Sequence, residues 1–231
     1  MRFGLIGVLI TVWPAAASAS VMDFDDLVIW AGTGSNEAAM VVDWRDGRPA
    51  LAWGYRWDGA ATGEDMFRAI AAADDDFYGS INDTFAFGNF INGIGYDRDG
   101  DGFDVTPALS FNADGLHFGA SAVDVVSDDA DDSYRGSSST FEFWEYFVSV
   151  GNPYDGGSWS SAAVGFSGRN LTDGDWDAWV FPGFVGNLPS DTPLAAGGTT
   201  AVPEPSTWAA FAVLSFGYVV RRLRRRSEAA S

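Results

Sequence analysis

Residues 39–57 constrain the fold of this chain more than any other part of the sequence. Two apolar stretches, 39–44 and 50–57, flank the turn sequence 45–49, which contains an Asp-Gly pair followed by proline. An Asp-Gly pair between two such stretches is a strong hairpin signal. Alternate residues of the second stretch are large and apolar, which places them on one face of a strand: Leu51, Trp53, Tyr55 and Trp57. The sequence therefore predicts a β-hairpin with an aromatic face.

The rest of the central sequence is typical of a β-rich domain with one helix. Thr62 and Asp65 form a capping-box pattern, and apolar residues recur at helical spacing behind it, so a short helix is predicted near 63–73. Residues 127–139 are acidic and serine-rich and are predicted to form a loop. Residues 84–94 are aromatic and glycine-rich, and further strands are predicted at 108–111, 116–126, 140–150, 162–166 and 178–184. Short strands with glycine- and aspartate-rich turns favour a β-sandwich-like or α+β domain.

The first residues resemble a secretory signal peptide. A basic start at Arg2 precedes the apolar stretch 3–12, and Ala17-Ser18-Ala19 fits the small-residue cleavage rule. The apolar stretch is shorter than the ~20 residues that a stable membrane span needs. We therefore predict a signal peptide at 1–19 and an exported protein that begins at Ser20, with an N-terminal membrane anchor as the alternative.

The last thirty residues contain three different segments in a fixed order. The first is Val202-Pro203-Glu204-Pro205, the second is the apolar stretch 206–220, and the third is a cluster of five arginines that starts with Arg221 and Arg222. Prolines on both sides of a glutamate prevent regular structure there, and arginines beside an apolar span stay on the cytoplasmic side. As a helix, the apolar stretch would be about 22 Å long, against a hydrocarbon core of ~30 Å. We predict a short transmembrane segment at 206–220, preceded by a flexible linker at 186–201.

This arrangement resembles the PEP-CTERM sorting signal of Gram-negative bacteria, and the match covers residues 202–226. The resemblance implies that an exosortase, an integral-membrane cysteine protease or transpeptidase, cuts near Pro203-Glu204-Pro205. It also implies a protein that is first tethered to the membrane and then passed to the cell surface or the extracellular matrix. A plain C-terminal membrane anchor is the alternative.

The charge of the segment between these signals excludes some partners. Residues 20–201 hold seven arginines against 30 acidic residues, a net charge of about −23. Such a domain repels phosphate backbones, so nucleic acid is not an expected partner, whereas divalent cations are. The chain has no cysteine and one histidine, His117. Disulfides, cysteine-based zinc sites and a catalytic cysteine are therefore excluded.

The segment 97–104 has the spacing of a calcium-binding loop. Asp97, Asp99 and Asp101 occupy alternate positions and Gly102 follows at the sharp-turn position, as in DxDxDG loops of the EF-hand-like and dockerin-like kind. In such a loop the Phe103 carbonyl would be a further ligand, and Asp104 is another candidate. The glutamate expected at the twelfth position is Ala108. We therefore predict calcium on a β scaffold and not an EF-hand pair, with an acidic turn that holds no specific ion as the alternative.

A second acidic segment, 170–177, has the same alternation of aspartates but Trp176 where the loop needs glycine. It is predicted to be a turn that leads into a strand, with a second calcium loop as the alternative. The acidic stretches 74–76 and 128–132 are predicted to be solvated loops. For Arg56 we expect an ion pair and stacking on a ring of a neighbouring strand, because adjacent residues of one strand face opposite sides.

No sequence motif of a known enzyme class is present: the chain lacks a nucleophile elbow, a P-loop, a dinucleotide fingerprint and an HExxH motif. We predict a non-enzymatic surface or matrix protein, stiffened by calcium, that binds exopolysaccharide or another surface component through Trp53, Trp57 or Trp176. A small-molecule-binding surface domain is the first alternative. A polysaccharide hydrolase with paired carboxylates is the second.

Overall fold

Short strands joined by tight turns make up most of the described chain. The computed structural model describes residues 20–86, 88–120, 124–137, 140, 142–183, 187–189 and 192–197. One α-helix, α1 (Gly63–Ala73), lies among them. The strands are, in chain order, β1 (Trp30–Gly32), β2 (Asn36–Asp43), β3 (Leu51–Trp57), β4 (Phe77–Asn82), β5 (Phe90–Tyr96), β6 (Val105–Thr106), β7 (Leu116–Phe118), β8 (Val126–Ser127), β9 (Ser133–Gly136), β10 (Glu145–Val150), β11 (Ser160–Ser161), β12 (Asp175–Val180) and β13 (Leu194–Ala195). The prediction of a mostly β domain with one short helix is confirmed.

The predicted hairpin is the centre of a seven-stranded sheet. Strands β2 and β3 pair antiparallel, with Met40 opposite Trp53, and the order across the sheet is β1-β3-β2-β12-β10-β11. Strand β13 also pairs with β3, beside β1. Strand β12 runs parallel to β2. The central strands β2 and β12 have a neighbour on each side, and nearly all of their residues are buried, on both faces of the sheet.

The aromatic face of the hairpin packs against α1 and a second sheet. This second sheet has the order β7-β4-β5-β9. The Trp53 ring meets Phe77 of β4 edge-on at 5.2 Å and Tyr96 of β5 at 5.7 Å. Phe67 of α1 meets the same Phe77 ring at 5.2 Å. The helix and the second sheet together therefore cover one face of the main sheet.

The opposite face of the main sheet is covered by loop segments. Small residues of the central strands, such as Ala39, Ala52 and Ala178, leave room there for large rings. Phe24, in a short 3₁₀ helix, stacks on Trp176 with a centroid separation of 5.2 Å. Tyr154 meets the same tryptophan edge-on at 5.5 Å. The main sheet is thus the middle layer of the domain.

Several predicted strand bounds were wrong, because strands that pair only over a few residues have weak sequence patterns. Residues 108–111 contain no strand, and the described residues of 140–150 form a strand only from Glu145 onward. Strands β7 and β8 lie at the two ends of 116–126. In 162–166 no strand forms. The predicted loop 127–139 contains β9.

The segment predicted to be a flexible linker, 186–201, contributes to the folded domain. Leu194 and Ala195 form β13 beside β3, and Ala195 and Ala196 are buried. Contacts along the chain group residues 19–198 into one compact unit. The folded domain therefore extends beyond residue 185.

The predicted signal peptide at 1–19 and the sorting signal at 202–226 lie outside the described residues, as does the transmembrane segment 206–220. Within the described part of the chain, no helix is both long and apolar enough to span a membrane.

Candidate metal centre

The loop after β5 curls around the side chain of Asp97. Asp97 is buried, and its two carboxylate oxygens accept hydrogen bonds from the N–H groups of Gly100 at 2.7 Å and Gly102 at 2.9 Å. Both glycines have positive φ angles, 76° and 121°, which glycine adopts without strain. Asp99 in turn accepts the N–H of Asp101 at 3.3 Å. Alternate aspartates and glycines therefore give the tight curvature that the spacing predicts.

A third carboxylate, Asp132, joins this loop from a distant part of the sequence. Strands β5 and β9 pair antiparallel with Tyr96 opposite Ser133, so the residue after Tyr96 lies beside the residue before Ser133. Carboxylate oxygens of Asp97, Asp99 and Asp132 consequently all lie within 4.8 Å of one another. We call these three residues the aspartate triad.

One oxygen of the triad has no protein partner among the described residues. The Asp132 side chain is buried, and its Oδ1 accepts the N–H of Arg98 at 3.1 Å. Its Oδ2 is also buried but accepts no hydrogen bond there. A buried carboxylate oxygen without a partner costs free energy, about 1–3 kcal/mol and more when charged. A cation bound beside this oxygen would offset that cost.

The triad has suitable chemistry and spacing for a hard cation. Calcium takes oxygen ligands at about 2.3–2.6 Å, so two oxygens on one ion lie at most about 5 Å apart. The separations within the triad satisfy that limit. Asp97, Asp99 and Asp132 could therefore hold one calcium ion, with carbonyl oxygens or water completing the six to eight ligands that calcium prefers.

The electrostatics of the triad also favour a cation. Burial raises the pKa of Asp132 to about 6, and the negative charges of Asp97, Asp129 and Asp99 add to the rise. The Asp99 carboxylate is the main cause of a raised pKa at the exposed Asp101. Both shifts show that the acidic groups here repel one another, and a bound divalent cation would remove that repulsion.

Two arginines hold the backbone around Asp132. Arg48 donates to the carbonyl of Asp132 at 2.9 Å and also to the carbonyl of Ala130. The Arg98 side chain donates to the hydroxyl of Ser133 at 2.7 Å. These guanidinium groups fix the position of the loop by bonding its carbonyl and hydroxyl groups. The triad is thus supported by hydrogen bonds that do not use its carboxylates.

The remaining predicted ligands are not members of the aspartate triad. The Asp101 side chain is exposed, and Asp104 is also exposed, while its carbonyl accepts the N–H of Asp128 at 3.0 Å. The ring of Phe103 stacks on Tyr78 at 4.1 Å and belongs to a small core under the β6–β8 ribbon. Of the predicted side-chain ligands, Asp97 and Asp99 come together.

Sequence reasoning missed Asp132, because 128–132 was interpreted as a solvated loop. The available signal was the pattern of Ser133–Gly136, a short alternating stretch directly after the acidic residues. If this stretch had been interpreted as a strand, Asp132, the residue directly before it, would have been a candidate to lie beside the loop after β5.

The three tryptophans predicted to bind ligand are core residues. Trp53 and Trp176 have no exposed surface and Trp57 is 5 % exposed. The Trp53 Nε1 donates to Asp74 at 2.7 Å, and Trp57 stacks on Tyr55 at 5.4 Å. The helix, the second sheet and the loop segments that cover the two faces of the main sheet pack over these three rings. The structure therefore places Trp53, Trp57 and Trp176 in the core and not on an exposed surface.

The second acidic segment, 170–177, is a turn that leads into a strand, as the preferred interpretation predicted. The aspartates Asp175 and Asp177 are buried in β12 and both pair with Arg169, at 2.8 and 3.5 Å. Asp173 accepts the N–H of Glu37 at 2.9 Å and so ties the turn to β2. The carboxylates of this segment are therefore used within the fold.

Comparisons with known proteins add no relative to these observations: no protein-family model matches the chain, and the searches of curated proteins and of solved structures found no match. The function must be argued from the residues themselves.

Proposed function

We propose that this protein is an exported, non-enzymatic surface or matrix module whose domain is stabilised by calcium at Asp97, Asp99 and Asp132. In this proposal a signal peptide at 1–19 directs export from a Gram-negative cell. The segment 206–220 and its arginines hold the protein in the membrane until an exosortase cuts near Pro203-Glu204-Pro205. The domain then reaches the cell surface or the exopolysaccharide layer.

The observation that carries the cation part of this proposal is the buried Oδ2 of Asp132. It accepts no hydrogen bond among the described residues, and two further carboxylates lie within 4.8 Å. The neighbouring guanidinium groups of Arg48 and Arg98 donate to the Asp132 carbonyl and the Ser133 hydroxyl, and not to this oxygen. A divalent cation would supply positive charge directly at the carboxylate oxygens.

Calcium bound at the triad would join two segments that are more than thirty residues apart in the sequence, the loop after β5 and the residue before β9. Calcium sites of extracellular modules bind with Kd values on the order of 10⁻⁴–10⁻³ M. Binding at such an affinity stabilises the folded state in proportion to the logarithm of the calcium concentration. The folded domain would then be more stable outside the cell, where the calcium concentration is high.

A pair of neighbouring substitutions tests the cation site. We expect 5 mM calcium to raise the Tm of residues 20–201 above its value in EDTA, and we expect Asp132→Asn to abolish that rise. Asp131→Asn removes the same charge from an exposed neighbour and should keep the calcium response. Thermal unfolding followed by circular dichroism measures both. Equal calcium responses in the two variants would refute the assignment of Asp132 as a ligand.

The proposed processing of the C-terminal sorting signal is tested separately, in the producing cells. Glu204→Gln should leave the full-length protein in the membrane fraction, because the proline-flanked glutamate is the feature that the signal resembles. Glu228→Gln, an equal charge change beyond the arginines, should be processed normally. Immunoblots of membrane and extracellular fractions distinguish them, and normal processing of Glu204→Gln would refute recognition of this motif.

Matrix binding is tested by retention of residues 20–201 on exopolysaccharide from the producing cells, first in calcium and then in EDTA. Retention that needs calcium and is lost in Asp132→Asn would support a matrix module whose binding depends on the triad. Absence of retention under both conditions would refute matrix binding as an activity of this domain and would leave the sorting proposal intact.

A further inference from the structure

A cleft of about 590 Å³ opens where the main sheet meets the second sheet. Strands β10 and β12 form one wall, with Tyr146 and Trp179, and the first residues of β5 form the other, with Phe90 and Ile91. The segment 161–166 closes the cleft at the edge of the main sheet. The cleft is separate from the aspartate triad and shares no residue with it.

The wall of the cleft that contains Tyr146 and Trp179 is aromatic and closely packed. Tyr146 stacks on Trp179 at 4.5 Å, and Phe166 meets Trp179 edge-on at 5.5 Å. Each of these rings is at least nine-tenths buried. Rings held in this way form a preformed apolar surface, which is typical of small-molecule sites.

Several exposed large apolar side chains lie at the mouth of the cleft. Eight large apolar side chains are exposed among the described residues, and three of them line this one cleft: Phe85, Phe90 and Val164. Their exposed fractions lie between 44 and 51 %. The other five lie elsewhere. Such a concentration of exposed apolar side chains around a concave surface indicates a binding site.

The charge of the lining decides which ligands the cleft can accept. Glu145 is the one carboxylic acid among the described lining residues, and no arginine is among them. The chain as a whole carries a net charge of −19. An anionic ligand would therefore be repelled both locally and by the overall field, whereas Glu145 would attract a cationic group.

We propose that this cleft binds a neutral or cationic organic molecule that contains a flat apolar ring system. Its volume lies within the 300–1,000 Å³ range of ordinary small-molecule sites. Aromatic walls favour a flat ring, because rings pack well face-to-face or edge-to-face. The hydroxyl of Ser161, which donates to Glu145 at 3.2 Å, and the amide of Asn89 provide polar contacts at the rim. This proposal does not depend on the cation site.

Two fluorescent probes with the same ring system test both the site and its charge preference. N-phenyl-1-naphthylamine is neutral, and 8-anilino-1-naphthalenesulfonate carries one negative charge on the same anilinonaphthalene skeleton. With residues 19–198, the compact unit that contains every described strand, we expect saturable binding of the neutral probe and at least tenfold weaker binding of the sulfonate. Near-ultraviolet circular dichroism verifies that the protein is folded.

Matched substitutions place the probe in the cleft. Ala163→Phe fills the cleft from its lining and should weaken binding of the neutral probe at least tenfold. Ala72→Phe adds the same ring at an exposed position of α1 and should leave binding unchanged. Glu145→Gln should bring the affinities of the two probes closer together while the neutral probe still binds.

Three results would overturn the proposal. One is failure of the folded wild-type domain to bind the neutral probe. Another is equal affinity of wild type and Ala163→Phe for that probe, which would place the binding elsewhere. The last is equal affinity of the wild type for both probes, which would refute the charge preference.

Discussion

At the scale of single residues, the buried acids of this domain each have a specific partner. Asp74, the residue after α1, accepts the Nε1–H of Trp53. Asp177 accepts hydrogen bonds from the Tyr146 hydroxyl and from Arg169. Asp97 accepts two backbone N–H groups of its own loop. Among the described residues, the exception is Oδ2 of Asp132, which accepts no hydrogen bond. This difference distinguishes the aspartate triad from the other buried acids.

The half-buried arginine in β3 shows that a residue-scale prediction can be specific. Arg56 was expected to form an ion pair and to stack on a ring of a neighbouring strand. It pairs with Glu37 of β2 at 2.8 Å and its guanidinium lies 4.0 Å from the ring centre of Trp30 on β1. Both expectations are confirmed. Side chains alternate between the two faces of a strand, and the domain has few cations to pair with its many acids, so few other contacts are possible for Arg56.

Asp177 should give the stability of the domain a measurable pH dependence. Burial raises the pKa of Asp177 to about 6, against about 3.9 in an unfolded chain. The folded state therefore holds this proton more tightly, and its contribution to stability is complete below pH 4 and is lost as the pH rises to about 6. Relative to Asp177→Asn, the wild type should lose about 2–3 kcal/mol over that interval.

Denaturant unfolding at pH 4 and pH 7 in EDTA measures this difference. Asp155→Asn, at an exposed position, serves as the control and should follow the wild type at both pH values. A constant difference between Asp177→Asn and the wild type at the two pH values would contradict the prediction.

Gly54 is required in β3 because the ring of Trp30 lies directly over it. A Cβ atom at this position would lie 2.4 Å from the ring. We expect Gly54→Ala to displace Trp30 from under Arg56 and to destabilise the domain by about 1–3 kcal/mol, as overpacking does. Gly165→Ala, where the nearest atom lies 4.0 Å away, is the control. Unfolding curves that coincide for the two variants would contradict this account.

At the scale of elements, the sequence predicts the helices and strands whose cap, turn and periodicity patterns are all present in the sequence. The helix has its capping box, with Thr62 and Asp65 bonded to each other's backbone, and it ends at Ala73 as expected. The β2–β3 hairpin has its turn residues and alternation. By contrast, β9 and β13 have four and two residues and form only because a distant strand lies beside them. Asp132 was missed for the same reason, because its position depends on the pairing of β9 with β5.

The capping box gives an element-scale prediction. Thr62→Ala removes the hydroxyl that accepts the N–H of Asp65, and loss of such a cap costs about 1 kcal/mol. Thr172→Ala, at an exposed position in a turn, should change stability by less than half of that. Urea unfolding at constant pH compares the two, and a Thr62→Ala midpoint equal to that of Thr172→Ala would show that the cap does not contribute.

At the scale of the whole molecule, the excess of acids sets the response to salt. Residues 20–201 contain seven arginines and 30 acidic residues, so the negative charges of the folded domain repel one another. Raising NaCl from 10 mM to 0.5 M shortens the Debye length from about 30 Å to a few ångströms, and we expect the Tm to rise in the wild type and in Asp132→Asn alike. Calcium at 1 mM should add a further increase in the wild type alone. A Tm that falls with NaCl would contradict the role assigned to self-repulsion.

The two ends of the described domain lie next to each other. Ser20 forms an antiparallel bridge with Leu194, and the N–H of Val21 donates to the carbonyl of Pro193 at 2.7 Å. The chain of the domain is in this sense almost a closed ring. A circular permutant that joins residue 197 to residue 20 through a short glycine-serine linker, and opens at the exposed turn around Asp114, should therefore fold into the same pair of sheets. The order in which the strands are synthesised would then be a property of the gene and not a requirement of the fold.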